Sequence, residues 1–165
     1  MKVNKNKGMY LETIINNSIR YYEINQIALI RKQFVPVKIT RVINQNVTGK
    51  LSNKGDVDYY GIYHGRFFAM EAKQTQEKVF YINNLLNHQQ SFLKLIHDFN
   101  GLAYLMIFFS KTYSFYFVEY IKVYKYINQE NKNINHIEEE WFNTHGIRLE
   151  LMFPGRLDFL KWIKF

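Results

Sequence analysis

The chain has 165 residues, 22 Lys plus Arg against 14 Asp plus Glu, and a formal charge of +8. With 47% hydrophobic residues it fits one domain, residues 1–165, with a real core, and generic disorder is excluded. The absence of cysteine removes disulfides, Cys-ligated zinc, iron–sulfur ligation and thiol nucleophiles together, and no apolar run approaches the ~18 residues of a spanning helix.

Residues 1–7 are polar and basic and read as a mobile arm, with no apolar segment of a signal peptide. The cytoplasm is the expected location. Leu11, Ile14, Ile15, Ile19 and Tyr22 recur at helical spacing, which predicts an amphipathic helix over 9–23. Residues 24–31 are β-rich, and 35–43 read as extended, with Pro36 near the start, where a strand tolerates it. Residues 45–55 read as a loop or the tip of a projecting hairpin. Residues 57–63 and 66–73 are strand-like around His64-Gly65, a tight-hairpin signal. A second helix is expected over 87–99, with Asn87 as N-cap, Phe92, Leu95, Ile96 and Phe99 on one face, and Gly101 ending it. Residues 102–109 and 113–118 form a second β-rich pair, with Tyr113, Phe115 and Phe117 read as core. Residues 128–135 read as loop, and a short amphipathic stretch at 138–142 precedes an apolar tail.

The charge is unevenly placed. Residues 1–50 hold nine basic and two acidic groups, residues 51–100 hold five of each, and residues 101–165 hold eight and seven. A basic first third attracts polyanions by releasing counterions from phosphates. An AT-rich coding bias toward Asn, Ile, Lys, Tyr and Phe gives the same balance without a function.

The predicted hairpin concentrates the chemistry. With a two-residue loop and no bulge, positions whose numbers sum to 129 lie opposite each other. Asp58 then faces Glu71 and Asp56 faces Lys73, all on one face, with opposed β-carbons about 5 Å apart. Opposed carboxylates repel unless a cation joins them. Mg²⁺ takes oxygen ligands, lowers the pKa of bound water and neutralises charge on a phosphate. Lys73 would stabilise the same charge. The same face carries Tyr60, Ile62, Phe67 and Ala69, an apolar end suited to the core. An ordinary solvated strand face, with Lys73 paired to Asp56, fits these residues as well. His88 and Gln89 open the second helix, where an anion or a metal-bound water is favoured. No P-loop, G-x-S-x-G, G-x-G-x-x-G or H-E-x-x-H motif is present.

Three stretches, NKGMYLETIINNSIRYYEINQIALIRKQFVPVKI (6–39), DVDYYGIYHGRFFAMEAKQT (56–75) and NHQQSFLKLI (87–96), resemble the RecU-type Holliday junction resolvases of the PD-(D/E)xK restriction-endonuclease-like superfamily. A weaker match continues to GRLDF (155–159). The resemblance implies an α/β fold, a mixed β-sheet flanked by helices with a short projecting stalk. It also implies a Mg²⁺-dependent homodimeric endonuclease, with one or two ions per subunit, that nicks four-way DNA junctions symmetrically in recombination and repair. Asp58 matches the metal-binding aspartate, Glu71 the second carboxylate and Lys73 the lysine of E-x-K. Asp56 stands where the family usually has threonine. The family's metal-site glutamine maps to Gln89, with Gln90 the alternative because the spacing from Glu71 is one residue short. The stalk matches about 37–55; it is shorter here and has no aromatic between Phe34 and Tyr59. Arg31, Lys32, Lys38, Arg41, Lys50 and Lys54 are the expected DNA contacts, and a recombinase is a further partner to consider. Glu12 reads as an outer contributor to the site or as a surface charge. A non-catalytic branched-DNA-binding or recombinase-regulating module is the alternative function, and a duplex-cutting nuclease of the same superfamily is another.

Overall fold

The structure, a computed structural model, describes residues 9–34, 36–51, 55–129 and 134–165. The first helix is α1, Met9–Ile24. Its buried stripe is Leu11, Ile14, Ile15, Ser18 and Tyr22, spaced at three or four residues as an amphipathic helix requires. Ser18 satisfies its burial locally: its hydroxyl donates to the Ile14 carbonyl (2.9 Å) and accepts the Leu157 N–H (2.8 Å). The second of these bonds ties α1 to the C-terminal segment.

The strands are β1 (Leu29–Lys32), β2 (Val37–Ile43), β3 (Asn46–Leu51), β4 (Tyr59–Tyr63), β5 (Arg66–Thr75), β6 (Val79–Tyr81), β7 (Leu102–Phe109), β8 (Ser114–Glu119), β9 (His136–Glu138) and β10 (Ile147–Leu149). The later helices are α2 (Asn87–Asp98), α3 (Tyr120–Ile127) and α4 (Glu139–His145). Six strands form one sheet in the order β1-β4-β5-β7-β8-β10. β5 and β7 are parallel and the other neighbours antiparallel, so the sheet is mixed as expected. One face packs on α1 and on Leu157, Phe159, Leu160 and Ile163 of the tail. The other packs on Leu93 of α2, Val123 of α3 and Phe142 of α4. β7 lies between these layers, and all eight of its residues are buried, which is why its sequence is continuously apolar.

The β4–β5 hairpin turns through His64 (φ 49°) and Gly65 (φ 73°), the paired left-handed residues of a type I′ turn. Its register runs from Tyr63↔Arg66 to Tyr59↔Met70, so opposed numbers sum to 129 as expected. β4, however, starts only at Tyr59. β2 and β3 form a separate two-stranded ribbon, so the expected projection is a hairpin whose return strand occupies residues read as loop.

Other differences have local causes. The N-cap of α2 is Leu86, and Asn87 is its first helical residue. Its buried residues are Gln89 and Leu93, with Phe92 and Ile96 partly covered, while Leu95 and Phe99 are exposed. The helix is rotated so that Gln89 meets the sheet. Asn100 (φ 59°) makes the left-handed turn after α2. Gly101 follows because a β-carbon there would lie 2.9 Å from the Ile96 carbonyl oxygen. Tyr113 (φ 54°) turns β7 into β8 and is exposed, so only Phe115 and Phe117 of that trio are core. Tyr60, Ile62 and Phe67 are exposed too, although Ala69 beside them is buried. α3, β6, β9 and β10 are not foreseen from sequence.

Gly61 holds β1 against β4. A β-carbon at Gly61 would collide with the Leu29 carbonyl oxygen and stand 2.7 Å from Ile30 Cα, both rigid backbone. Gly61→Ala is therefore expected to cost about 2 kcal/mol or more, read as a lower midpoint in urea unfolding.

Candidate active site

The β4–β5 ladder stops at Tyr59–Met70, but β5 runs five residues further, paired only to β7. Continuation of the antiparallel alternation would have paired Val57 with Ala72 through the backbone. The chain turns away instead. The Val57 N–H donates to Gln33 Oε1 (3.3 Å), and the Asp58 carbonyl accepts the Gln33 N–H (2.7 Å). The freed Ala72 N–H is taken by Asp58 Oδ2 (3.0 Å), and the Asp58 N–H donates to Glu71 Oε2 (3.0 Å). The two carboxylates thus close the open end of the hairpin, each bonded to the other's strand.

Glu71 is 1% exposed. Its Oε1 accepts from Gln89 Nε2 (2.6 Å) and pairs with Lys73 Nζ (2.7 Å). Burial pushes its pKa up to about 7, and the Asp58 charge adds to the shift against the opposing ammonium of Lys73. Gln89 is itself held, because its Oε1 accepts the Leu86 N–H (3.0 Å) at the start of α2. Gln90 turns elsewhere, donating to the Leu85 carbonyl (2.8 Å). His88 Nε2 lies 3.1 Å from the Gly55 carbonyl oxygen.

The structure thus brings Asp58, Glu71, Lys73 and Gln89 together. Asp56 stays outside, exposed in the bend before β4, and Lys73 pairs with Glu71 rather than with Asp56. The expected rung of Asp56 opposite Lys73 does not form because β4 begins too late. Among the described residues no three His, Cys, Asp or Glu side chains gather as a cation cage. Two carboxylates with an amide beside them still suit Mg²⁺, which is held by one or two carboxylates and keeps several waters. Among the described residues no hydrogen bond engages Asp58 Oδ1, which leaves one carboxylate oxygen available.

A cavity of about 210 Å³ adjoins Asp58, lined by Leu11, Glu12, Lys32, Tyr59, Ala72 and Gln74. Glu12 and Lys32 form an ion pair at this cavity. Gln74 Oε1 is buried with no partner among the described residues. The sequence reading missed Gln74; its place one residue after Lys73, on the other side of β5, was the available signal. Arg31 is engaged by Glu23 on α1 through two bonds of 2.5 and 2.8 Å. Lys38, Arg41 and Lys50 are exposed on the ribbon, and among the described residues none is in an ion pair. Lys54 and the basic arm at 1–7 lie outside the described residues. No described helix is long and apolar enough to cross a membrane.

The raised pKa of Glu71 has a signed consequence. The fold favours the protonated carboxyl, so this contribution is fully present below the ordinary value of 4.5 and is lost as pH rises through about 7. The loss is on the order of 3 kcal/mol by pH 8. Glu71→Gln, a neutral analogue, is expected to raise the urea midpoint of the cation-free protein at pH 8 and to change it little at pH 4. Equal effects at both values would show that the ionised carboxylate is not a burden.

Comparison with known proteins gives a consistent result. Residues 6–165 match the family model described as Recombination protein U. A Holliday junction resolvase RecU from Ureaplasma parvum is 36% identical over 160 residues, covering 97% of this chain and 93% of that relative. The protein of the same name from Bacillus subtilis is 29% identical over 96% of this chain and 80% of its own length. Among solved structures, Archaeoglobus fulgidus Hjc, a Holliday junction resolvase, aligns with a TM-score of 0.49 at 14% identity over 82% of this chain and 93% of that one. The family-model match over residues 6–165 and the Ureaplasma parvum relative, 36% identical over 97% of this chain, place the chain in the Recombination protein U family.

Proposed function

We propose that this chain is a Mg²⁺-dependent endodeoxyribonuclease that resolves four-way DNA junctions by symmetric nicking, working as a homodimer. The observation that carries the reading is the meeting of Asp58, Glu71 and Lys73 where β4 leaves β5. The substrate class is taken from the relatives, which are named as Holliday junction resolvases.

Asp58 and Glu71 would hold one or two ions, with Gln89 beside them and Asp56 near enough in sequence to contribute through water. A bound divalent cation lowers the pKa of water and neutralises charge on the phosphate. Gln89 fixes the orientation of Glu71 by donating to Oε1 at 2.6 Å. Lys73 offers N–H donors to the charge that develops on the scissile phosphate, and its ion pair to Glu71 sets its position. Glu71 would have to ionise to hold a cation, so binding would release a proton and would tighten as pH rises through about 7.

The DNA grip is assigned to Lys38, Arg41 and Lys50 on the ribbon, with Arg31, Lys32 and Lys54 as further phosphate contacts. A two-fold dimer would present two such centres to strands of like polarity and give paired nicks.

Lys73→Ala is expected to slow nicking of a four-way junction about 10²–10³-fold with junction affinity nearly unchanged. Asp58→Ala should abolish cleavage, and EDTA should do the same to the unaltered protein. Junction binding without Mg²⁺-dependent cleavage by the unaltered chain would favour the non-catalytic reading, and equal cutting of linear duplex would remove the junction specificity. Replacing Lys38, Arg41 and Lys50 together by Ala should lower the slope of log affinity against log salt by roughly 1 per cation, measured by titration at several salt concentrations.

A further inference from the structure

The turn from β7 into β8 carries an aromatic side chain on backbone that does not suit it. Tyr113 has φ 54°, in the left-handed region where glycine and asparagine are at ease and a bulky residue is an outlier. Burial does not offset this, because Tyr113 is 57% exposed. Its hydroxyl meets that of Tyr10 in the first turn of α1. Its ring stands edge-on to Phe108 and Phe115, with centroids 5.5 and 5.9 Å away. The ring is thus fixed at the surface rather than packed away.

Tyr113 lines a cavity of about 540 Å³ together with Phe115, Arg148, Leu149, Glu150 and Leu151. Phe115 and Leu149 are buried and give it an apolar floor, while Arg148, Glu150 and Leu151 are exposed at its rim. Among the described residues neither Arg148 nor Glu150 joins an ion pair. The rim therefore offers a donor fork and an acceptor beside an aromatic wall. The register sets where the cavity lies. Thr75 of β5 pairs with Phe109, Phe109 with Ser114, and Phe115 with Leu149, so the cavity opens at the same end of the sheet as Lys73. With strands about 4.8 Å apart, β10 lies about 14 Å from β5, roughly four steps of a DNA strand at 3.4 Å each. The first turn of α1 joins the two places: Leu11 and Glu12 line the cavity beside Asp58, and Tyr10 holds Tyr113.

We infer that this cavity takes one nucleobase of the cleaved strand, turned out of its stack onto Tyr113, within about four nucleotides of the scissile phosphate. The inference rests on the nuclease reading above. Stacking on an aromatic ring accepts any base, and Arg148 and Glu150 can donate to and accept from its edge. Turning a base out costs least where the duplex is interrupted, and a four-way junction interrupts it at the crossover. An apolar side chain from a partner protein fits less well, because it would desolvate both charges without bonding them.

A scan of single abasic sites tests this with the full chain. Each nucleotide near the branch point of a labelled four-way junction is made abasic in turn, and affinity is measured in EDTA so that cleavage does not intervene. Loss of the base that enters the cavity should weaken binding roughly tenfold, the scale of one base–aromatic stack. Tyr113→Asn keeps a residue that tolerates the left-handed turn, so its urea midpoint should not fall. It should bind the intact junction roughly tenfold more weakly and lose no more than about twofold further at that abasic site. Tyr113→Phe, which keeps the ring, should retain the full position-dependent loss. Independently of any variant, 5-iodouracil at that position should cross-link to Tyr113 of the unaltered chain on irradiation. Abasic losses that do not depend on Tyr113, or a cross-link that falls elsewhere, overturn the base site and leave the nuclease reading standing. A chain that binds no branched DNA overturns both.

Discussion

β4 parts from β5 after Tyr59–Met70, and the backbone groups this releases have to be satisfied. The solution places an acid on each strand at the same rung. Asp58 accepts from Ala72, and Glu71 accepts from Asp58. Each carboxylate is fixed by a backbone donor and so keeps its position without a third acid. A ladder carried on to Val57–Ala72 would have satisfied these groups with backbone bonds instead. Gly61 and the type I′ turn at His64-Gly65 set the register, and the later departure of β4 decides where the acids meet.

The arrangement is costly for the protein by itself. Glu71 is buried, close to a second carboxylate, and only partly relieved by Lys73. A cation bound here would favour the ionised carboxylate, and its uptake would then be coupled to pH. The amide of Gln89 contributes no charge, yet it links the first turn of α2 to Glu71 and so makes the helix part of the site. Its burial also explains why α2 is turned away from the apolar stripe its sequence suggests.

The basic residues divide into two groups by environment. Arg31 and Lys32 are neutralised by Glu23 and Glu12 on α1, and Lys32 also lines the cavity next to Asp58. Lys38, Arg41 and Lys50 stand on one face of the ribbon, and among the described residues they have no carboxylate partner. The second group has more to gain from phosphate, because no internal ion pair has to be given up. Part of the +8 balance thus acquires a place: three cations outside the ion pairs of the described residues stand on the ribbon.

Much of the site was legible in the sequence because its geometry is local. A two-residue turn fixes a register, and a register fixes which side chains oppose, so Asp58 against Glu71 followed from the position of His64-Gly65 alone. The uniformly apolar run at 102–109 and the spacing of Leu11, Ile14, Ile15 and Tyr22 likewise revealed β7 and α1. What the sequence by itself determined was therefore the chemistry of the pair and the periodicity of the main elements. Tertiary structure alone decided that β4 begins at Tyr59, leaving Asp56 aside, that Glu71 lies dry beneath α2, and that Gln89 rather than Gln90 reaches it. It also decided that Thr40 bulges and sorts the ribbon into two faces. Each of these depends on where a strand stops pairing or how a helix is rotated against the sheet. Contacts between residues distant in sequence settle those matters, and no local spacing records them.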